Sequence, residues 1–187
     1  MAYWYENKAL YQSERDAYRQ FGEEYKAPLY KVQFTYDEKR RFVVLIDMTF
    51  RITKEAMMEI AKDLPNGLSE RAVPCIRVLE EQPWRCFKFC IVYEHDFPGR
   101  DSSGMFGGSI KVFPMTSLKP GFHHLLTDTA SGLRYICQVG SVKSSAVNGY
   151  TVMKRILRFL TVYSFWEKTG IDIDKEGEGK WNKNSYI

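Results

Sequence analysis

Hydrophobic residues are spaced differently in successive parts of the chain, and the spacing predicts the order of helices and strands. Apolar and aromatic residues recur every three or four positions from residue 4 to residue 21, which predicts an amphipathic helix that ends at Gly22. Apolar and polar residues then alternate over 30–36, and a more apolar run covers 41–50. This pattern predicts two antiparallel strands joined by the polar turn between them.

The middle of the chain predicts a short helix followed by more strands. Thr53 is a suitable N-cap for a helix that stops before Pro65. The runs at 75–80 and 84–93 are interpreted as a hairpin, and 109–114 as a further short strand that ends at its proline. The glycine-rich segment between these last two runs is interpreted as a loop.

The last part of the chain contains an irregular stretch and a long helix. Residues 115–146 show no clear periodicity, whereas helical spacing returns near residue 150 and ends at Gly170. A long irregular stretch inside a compact domain is uncommon unless it is functional. The whole pattern predicts an α+β fold, an antiparallel sheet with flanking helices, in a single domain over 1–170 with a polar C-terminal tail over 171–187.

Composition and charge exclude several classes of function. The 187 residues are 44% hydrophobic and 15% aromatic, which suits one packed domain. The net charge is only +4 and basic residues are spread along the chain, which argues against nucleic-acid binding. No segment approaches the ~20 apolar residues of a membrane span. The N-terminus lacks a cationic region followed by an apolar run, so we expect a cytoplasmic protein that does not bind membranes.

The cysteines do not predict a metal site. No Cys-x-x-Cys pair occurs, and Cys86 and Cys90 would place their sulfurs on the same face of one strand. Because no further ligands have zinc-site spacing, we expect neither a metal nor a cofactor. Together with Cys75, these two residues are interpreted as small buried side chains with reduced thiols. The segment SSGMFGGS lacks the Lys-Ser/Thr pair of a phosphate loop.

The fourth cysteine, Cys137, has several polar residues close to it in sequence. His123, His124 and Asp128 precede it, and Arg134 is near enough to favour its thiolate. A thiolate is a strong nucleophile, and a thioester keeps its carbonyl activated for transfer to an amine. A histidine can donate or accept the proton that such a transfer moves. The alternatives are a buried core thiol, structural histidines, and an aspartate in an ordinary turn.

An ordered series of motifs in the second half of the chain resembles the ubiquitin-conjugating enzymes. The series is FKFCIVYEHDFPG, GGSIKVFP, HHLLTDTASGLRYICQ and VMKRILRFLTVYSFWEKTG. The family's Gly-to-Cys ending falls on 132–137, and the aromatic-Trp-x-x-Thr-Gly ending of bacterial members falls on 165–170. The resemblance covers about 75–170. It is closer to bacterial members encoded beside ubiquitin-like proteins and activating enzymes, several of them in antiphage defence operons.

The resemblance implies a function for Cys137. The fold would be an antiparallel β-meander with flanking helices. Cys137 would accept the C-terminus of a ubiquitin-like protein from an ATP-using activating enzyme and pass it to an amine of a target protein. A non-catalytic scaffold of the same fold, which binds a ubiquitin-like partner, is one alternative. A cysteine hydrolase that uses Cys137 with His123 or His124 and Asp128 is another.

The sequence departs from the family at two points. Eukaryotic members have a His-Pro-Asn tripeptide whose asparagine lies eight residues before the cysteine, a position that Thr129 occupies here. The asparagine's part in stabilising the oxyanion would then fall to His123, His124, Asp128 or Asn148. The family meander has four strands. Either 30–50 belongs to that meander, with 53–67 inserted, or it is an N-terminal addition.

Overall fold

The computed structural model describes residues 3–95, 97, 109–137 and 147–176. Of the loop predicted between 84–93 and 109–114, residues 96 and 98–108 lie outside the described residues, as does the tail after residue 176. The chain divides into two compact units. Unit 1 comprises 1–49, 86–118 and 124–156, and unit 2 comprises 50–85, 119–123 and 157–187.

The main sheet has four strands that neighbour one another in chain order. They are β1 (Tyr30–Tyr36), β2 (Phe42–Phe50), β3 (Arg85–Tyr93) and β4 (Ile110–Pro114). The sheet is antiparallel, with Tyr30 of β1 opposite Met48 of β2. The predicted strands at 30–36 and 41–50 are therefore confirmed, and both belong to the same sheet as the later strands. The α+β class is confirmed with them.

Alternation of side chains gives the sheet one core face. The buried residues on that face include Phe42, Val44, Ile46 and Met48 of β2 and Phe87, Phe89, Ile91 and Tyr93 of β3. A 3₁₀ turn (Trp4–Glu6) precedes helix α1 (Lys8–Glu24), which buries Tyr18 and Phe21. Gly22 lies inside this helix rather than ending it. A Cβ there would lie 2.6 Å from the Tyr30 ring, so the glycine permits close helix–strand packing.

Two helices occupy the chain between β2 and β3. Helix α2 (Lys54–Lys62) begins as predicted, because the Thr53 hydroxyl accepts a hydrogen bond from the Ala56 N–H at 3.1 Å. Helix α3 (Asn66–Arg77) replaces the predicted strand over 75–80, so that prediction is wrong. The buried residues of α3 are Ala72 and Ile76, four positions apart on one face. The amphipathic period of a helix, rather than strand alternation, therefore governs this segment.

The C-terminal helix α4 (Gly149–Thr169) ends where the sequence predicts. Gly170 adopts a φ of +71°, and its N–H donates to the Trp166 carbonyl at 2.8 Å. The polar tail does not begin at residue 171, because Ile171 and Ile173 are fully buried and a short helix α5 (Ile173–Glu176) follows. Acidic residues flank these isoleucines, so the sequence pattern indicates a polar segment here. Among the described residues, no helix combines the length and apolar character that a bilayer crossing needs.

Candidate active site around Cys137

The stretch before Cys137 forms a short hairpin, where the sequence showed no periodicity. Strand β5 (Leu125–Thr127) pairs antiparallel with β6 (Arg134–Ile136). Asp128 begins the connecting turn: its carboxylate accepts hydrogen bonds from the N–H and hydroxyl of Ser131, at 3.1 and 2.5 Å. Gly132 supplies the positive φ of +70° that the turn requires. The hairpin fixes the strand that leads directly into Cys137.

Cys137 lies directly opposite His124. Its N–H donates to the His124 carbonyl oxygen at 2.8 Å, one step beyond the paired residues Leu125 and Ile136. Side chains of opposite residues in an antiparallel pair lie on the same face, with Cβ atoms about 4.5–5.5 Å apart. Cys137 is neither fully buried nor fully exposed. The backbone pairing therefore places Cys137 and His124 on the same face of the hairpin.

Tyr135 lies on the same face as Cys137, because side chains alternate along a strand. Its ring packs against Phe113 of β4, with ring centroids 6.4 Å apart, and only 3% of the residue is exposed. Arg134 lies on the opposite face and is exposed, so it does not supply the positive charge that the sequence suggested for Cys137. Lys111 on β4 pairs with Asp128, at the turn end of the hairpin.

Lys111 and Asp128 form a partly buried ion pair. Nζ of Lys111 lies 3.2 Å from Oδ1 of Asp128, and the side chains are 25% and 16% exposed. Hydrogen bonds from Ser131 and Lys111 hold the pKa of Asp128 below its ordinary value, so it is ionised at neutral pH. Burial raises the pKa of Tyr135; the negative charges of Cys137 and Asp128 add to that effect, and Lys111 opposes it. The Tyr135 hydroxyl therefore lies within electrostatic reach of all three groups.

The other candidates from the sequence have different surroundings. Asp128 lies four residues along the strand from His124, which corresponds to about 13 Å, and its observed role is to hold Lys111. His123 belongs to unit 2, where its Nδ1 pairs with the Asp172 carboxylate. Asn148 accepts hydrogen bonds from the N–H and hydroxyl of Thr151, at 3.0 and 3.1 Å, and so caps α4. Of the predicted residues, His124 is the one placed opposite Cys137.

Sequence reasoning missed Tyr135 and Lys111. The signal for Tyr135 was available, because the Arg-Tyr-Ile-Cys sequence places the tyrosine and Cys137 on one face of any strand. Lys111 could not be found in this way, since its position depends on how β4 lies beside the hairpin. Both residues become candidates only when the hairpin is placed against the sheet within unit 1.

The remaining cysteines do not form a second site. Cys75 and Cys86 are exposed, so the prediction that they are buried is wrong. Cys75 lies on the outer side of α3, and Cys86 lies on the sheet face opposite the core. Cys90 is half-buried on the same face as Cys86, and burial raises the pKa of its thiol. In the ranges that the structure describes, no group of three or more potential metal-binding side chains comes together.

Comparison with known proteins assigns the chain to no family. No protein-family model matches the sequence, and neither the curated proteins nor the solved structures give a match. The fold is therefore described as α+β, with a four-stranded antiparallel sheet and helices. The likeness to ubiquitin-conjugating enzymes rests on the ordered sequence motifs.

Proposed function

We propose that the chain is a conjugating enzyme that carries a ubiquitin-like protein as a thioester on Cys137. The observation that carries the proposal is the partly exposed Cys137 thiol placed opposite the His124 imidazole at the end of a hairpin. The Cys137 thiolate attacks the thioester carbonyl on an activating enzyme and expels that enzyme's thiolate. An amine of the target protein then attacks the new thioester, and Cys137 leaves as a thiolate.

The order of elements supports the same proposal. Four antiparallel strands in chain order precede Cys137, and the long helix α4 follows it. A four-stranded meander before the cysteine and a helix after it is the arrangement that the resemblance implies. The partners of the proposed enzyme are a ubiquitin-like protein, its activating enzyme and a protein target. A place in bacterial antiphage defence, in the cytoplasm, is part of the same proposal.

His124 supplies a proton acceptor for the transfer step. An amine that attacks a thioester must lose a proton, and a neutral imidazole near pH 7 can accept it. The cross-strand position brings the imidazole within reach of an acyl group on Cys137. The proposed role of His124 is therefore proton transfer, and it leaves the stabilisation of the oxyanion to another group.

A charging experiment tests the proposed function. The purified chain is mixed with ATP and with the ubiquitin-like protein and activating enzyme encoded beside it, and the products are separated on a non-reducing gel. We expect a band heavier by one ubiquitin-like protein that disappears on addition of a thiol. If the activating enzyme charges itself but no such band forms, the carrier function is wrong. Retained binding of the ubiquitin-like protein would then identify a scaffold.

A cysteine hydrolase is the second candidate, because a Cys–His pair is also the nucleophile and base of such enzymes. In a hydrolase, an ion pair with the imidazole lowers the thiol pKa, so that iodoacetamide alkylates the cysteine rapidly even at pH 6. A thioester carrier does not need a lowered thiol pKa. In a variant with serine at Cys75, Cys86 and Cys90, we expect the alkylation rate of Cys137 to be low at pH 6. The rate should increase as the pH approaches about 8.5, the ordinary pKa of a thiol. Rapid alkylation at pH 6 would favour the hydrolase.

A further inference from the structure

Strand β1 forms one edge of the main sheet. It pairs with β2 over seven consecutive residues without a bulge, from Tyr30 opposite Met48 to Tyr36 opposite Phe42. Among the described residues, no strand pairs with its other side. An edge strand presents a row of unpaired N–H and C=O groups to which a strand of another chain can bind. The free side of β1 is therefore a candidate interaction surface.

The hydrogen bonds just beyond the two ends of the β1–β2 ladder show which backbone groups lie on the free side. The Thr49 N–H donates to the Leu29 carbonyl at 3.0 Å, and the Asp37 N–H donates to the Arg41 carbonyl at 3.1 Å. Because hydrogen-bonded pairs alternate along an antiparallel ladder, the odd-numbered residues of β1 bond to β2. The N–H and C=O groups of its even-numbered residues point away from β2. In the part of the chain that the structure describes, they form no hydrogen bond outside the sheet.

The same edge also leaves apolar surface incompletely covered. On the core face of β2, Val44 and Ile46 are fully buried. Their partners on β1, Phe34 and Val32, are only partly buried, and Tyr36 is 47% exposed. Exposed edges are usually blocked by proline, a bulge or an inward-pointing charge. Strand β1 contains no proline and no bulge, and its single charge, a lysine, is on the outer face.

We propose that β1 pairs antiparallel with β1 of a second copy of this chain, about a two-fold axis at Gln33. The two four-stranded sheets then form one sheet of eight strands. This register places Tyr30 opposite Tyr36 of the second copy, and Val32 opposite Phe34. Aromatic and apolar residues therefore meet their own kind across the new pair of strands, which stabilises a sheet. The even-numbered residues, whose backbone groups are free, are the ones that form the new hydrogen bonds.

The outer face of β1 is compatible with the same register. Lys31 lies opposite Thr35 of the second copy, so no like charges face each other there. Gln33 lies opposite its own copy, and two glutamine amides can hydrogen-bond each other. Because Gln33 already bonds to Leu45 of β2, its new pair is of the non-hydrogen-bonded kind, with Cα atoms about 4.5 Å apart. A strand that complements itself in this way favours a second copy over an unrelated segment.

Disulfide crosslinking tests this register. In a background with serine at all four cysteines, Gln33→Cys places two thiols opposite each other, within reach of a disulfide. Lys31→Cys is the matched control at another exposed position of β1, because its two copies lie four residues apart along the paired strands, about 13 Å. Under mild oxidation, we expect Gln33→Cys to form a covalent dimer on the order of tenfold faster than Lys31→Cys. Equal rates for the two variants would overturn the proposal.

Light scattering during size-exclusion chromatography measures the dimer without a crosslink. As the concentration of the wild-type chain rises, we expect the mass to increase from 21.9 kDa to twice that value. Gln33→Glu and Gln33→Lys each place like charges opposite each other and should weaken the dimer about fivefold. An equal mixture of the two variants should dimerise again, through one pair of opposite charges. Because Gln33 is exposed, neither change should alter the fold.

Two results of the scattering experiment would contradict the proposed dimer. If the wild-type chain stays at 21.9 kDa at every concentration, the second copy is wrong, and the edge is left to another segment of this chain or to another protein. If the chain dimerises but the dimer does not respond to the charge at Gln33, the two copies meet elsewhere. Either result overturns the pairing of β1 with itself.

Discussion

Cys137→Ser is expected to convert the thiol-sensitive conjugate into one that a thiol cannot remove, and Cys137→Ala is expected to abolish it. A serine hydroxyl can accept the same acyl group as an oxygen ester, but it is a much poorer nucleophile than a thiolate. The ester resists thiol reagents and transfers slowly to amines. The wild-type chain and the two variants should therefore give three different results on the same pair of reducing and non-reducing gels.

The exposed thiols Cys75 and Cys86 are the matched controls for this experiment. Both are exposed, so an adventitious thioester could form on either. Cys75→Ser and Cys86→Ser should charge to the same extent as the wild-type chain. A band that persists in Cys137→Ala and is lost in one of these controls would assign the carrier thiol elsewhere. It would also remove the basis for a catalytic role of His124.

Strand β1 of the main sheet could be predicted because one of its sides is solvated. In β1, Lys31 and Gln33 are exposed between residues that pack inward, so the alternation is visible in the sequence. The segment over 75–80 misled because its valine and isoleucine favour strands. Pro74 lies within α3, near its C-terminal end. Tertiary packing of Ala72 and Ile76 outweighs these local preferences.

Of the candidate site, the sequence could indicate the thiol but not the arrangement around it. Strands β5 and β6 are three residues long, too short for alternation to be recognised. The choice of His124 over its neighbour His123 depends on hairpin register, because a shift of one residue moves every side chain to the other face. The part played by Lys111 depends on the approach of β4. Contacts between distant segments therefore decide the chemistry, and a single sequence does not reveal them.

The same limit applies to Glu14, which resembles any other charge of an amphipathic helix in the sequence. In the structure Glu14 is only 3% exposed. Its Oε2 accepts hydrogen bonds from the Tyr93 hydroxyl and from the Gly149 N–H, each at 2.8 Å. The Tyr18 hydroxyl lies 2.9 Å from that of Tyr93. One carboxylate thus joins α1, β3 and the first turn of α4, the helix that follows the Cys137 segment.

Glu14→Ala is expected to lower the free energy of unfolding by about 2 kcal/mol or more, because a buried donor left unpaired costs about 1–3 kcal/mol. For a chain of this length, this corresponds to a fall of about 4–8 °C in the thermal midpoint measured by circular dichroism. Glu23→Ala, at an exposed position of the same helix, should change the stability by less than about 0.5 kcal/mol. Equal midpoints for the two variants would contradict a structural role for Glu14.

Glu14→Gln separates the charge from the hydrogen bonds, since a glutamine oxygen can still accept from both donors. Burial raises the pKa of Glu14, and the two hydrogen bonds only partly oppose that effect. The folded state therefore holds the proton more tightly than the unfolded state, and this contribution to stability is complete at low pH. It is lost as the pH rises from about 4.3, the usual glutamate pKa, through the raised value. Urea unfolding from pH 4 to pH 7 should show the stability of Glu14→Gln rising relative to the wild-type chain. A constant difference across this range would mean that the buried carboxylate carries no net cost of ionisation.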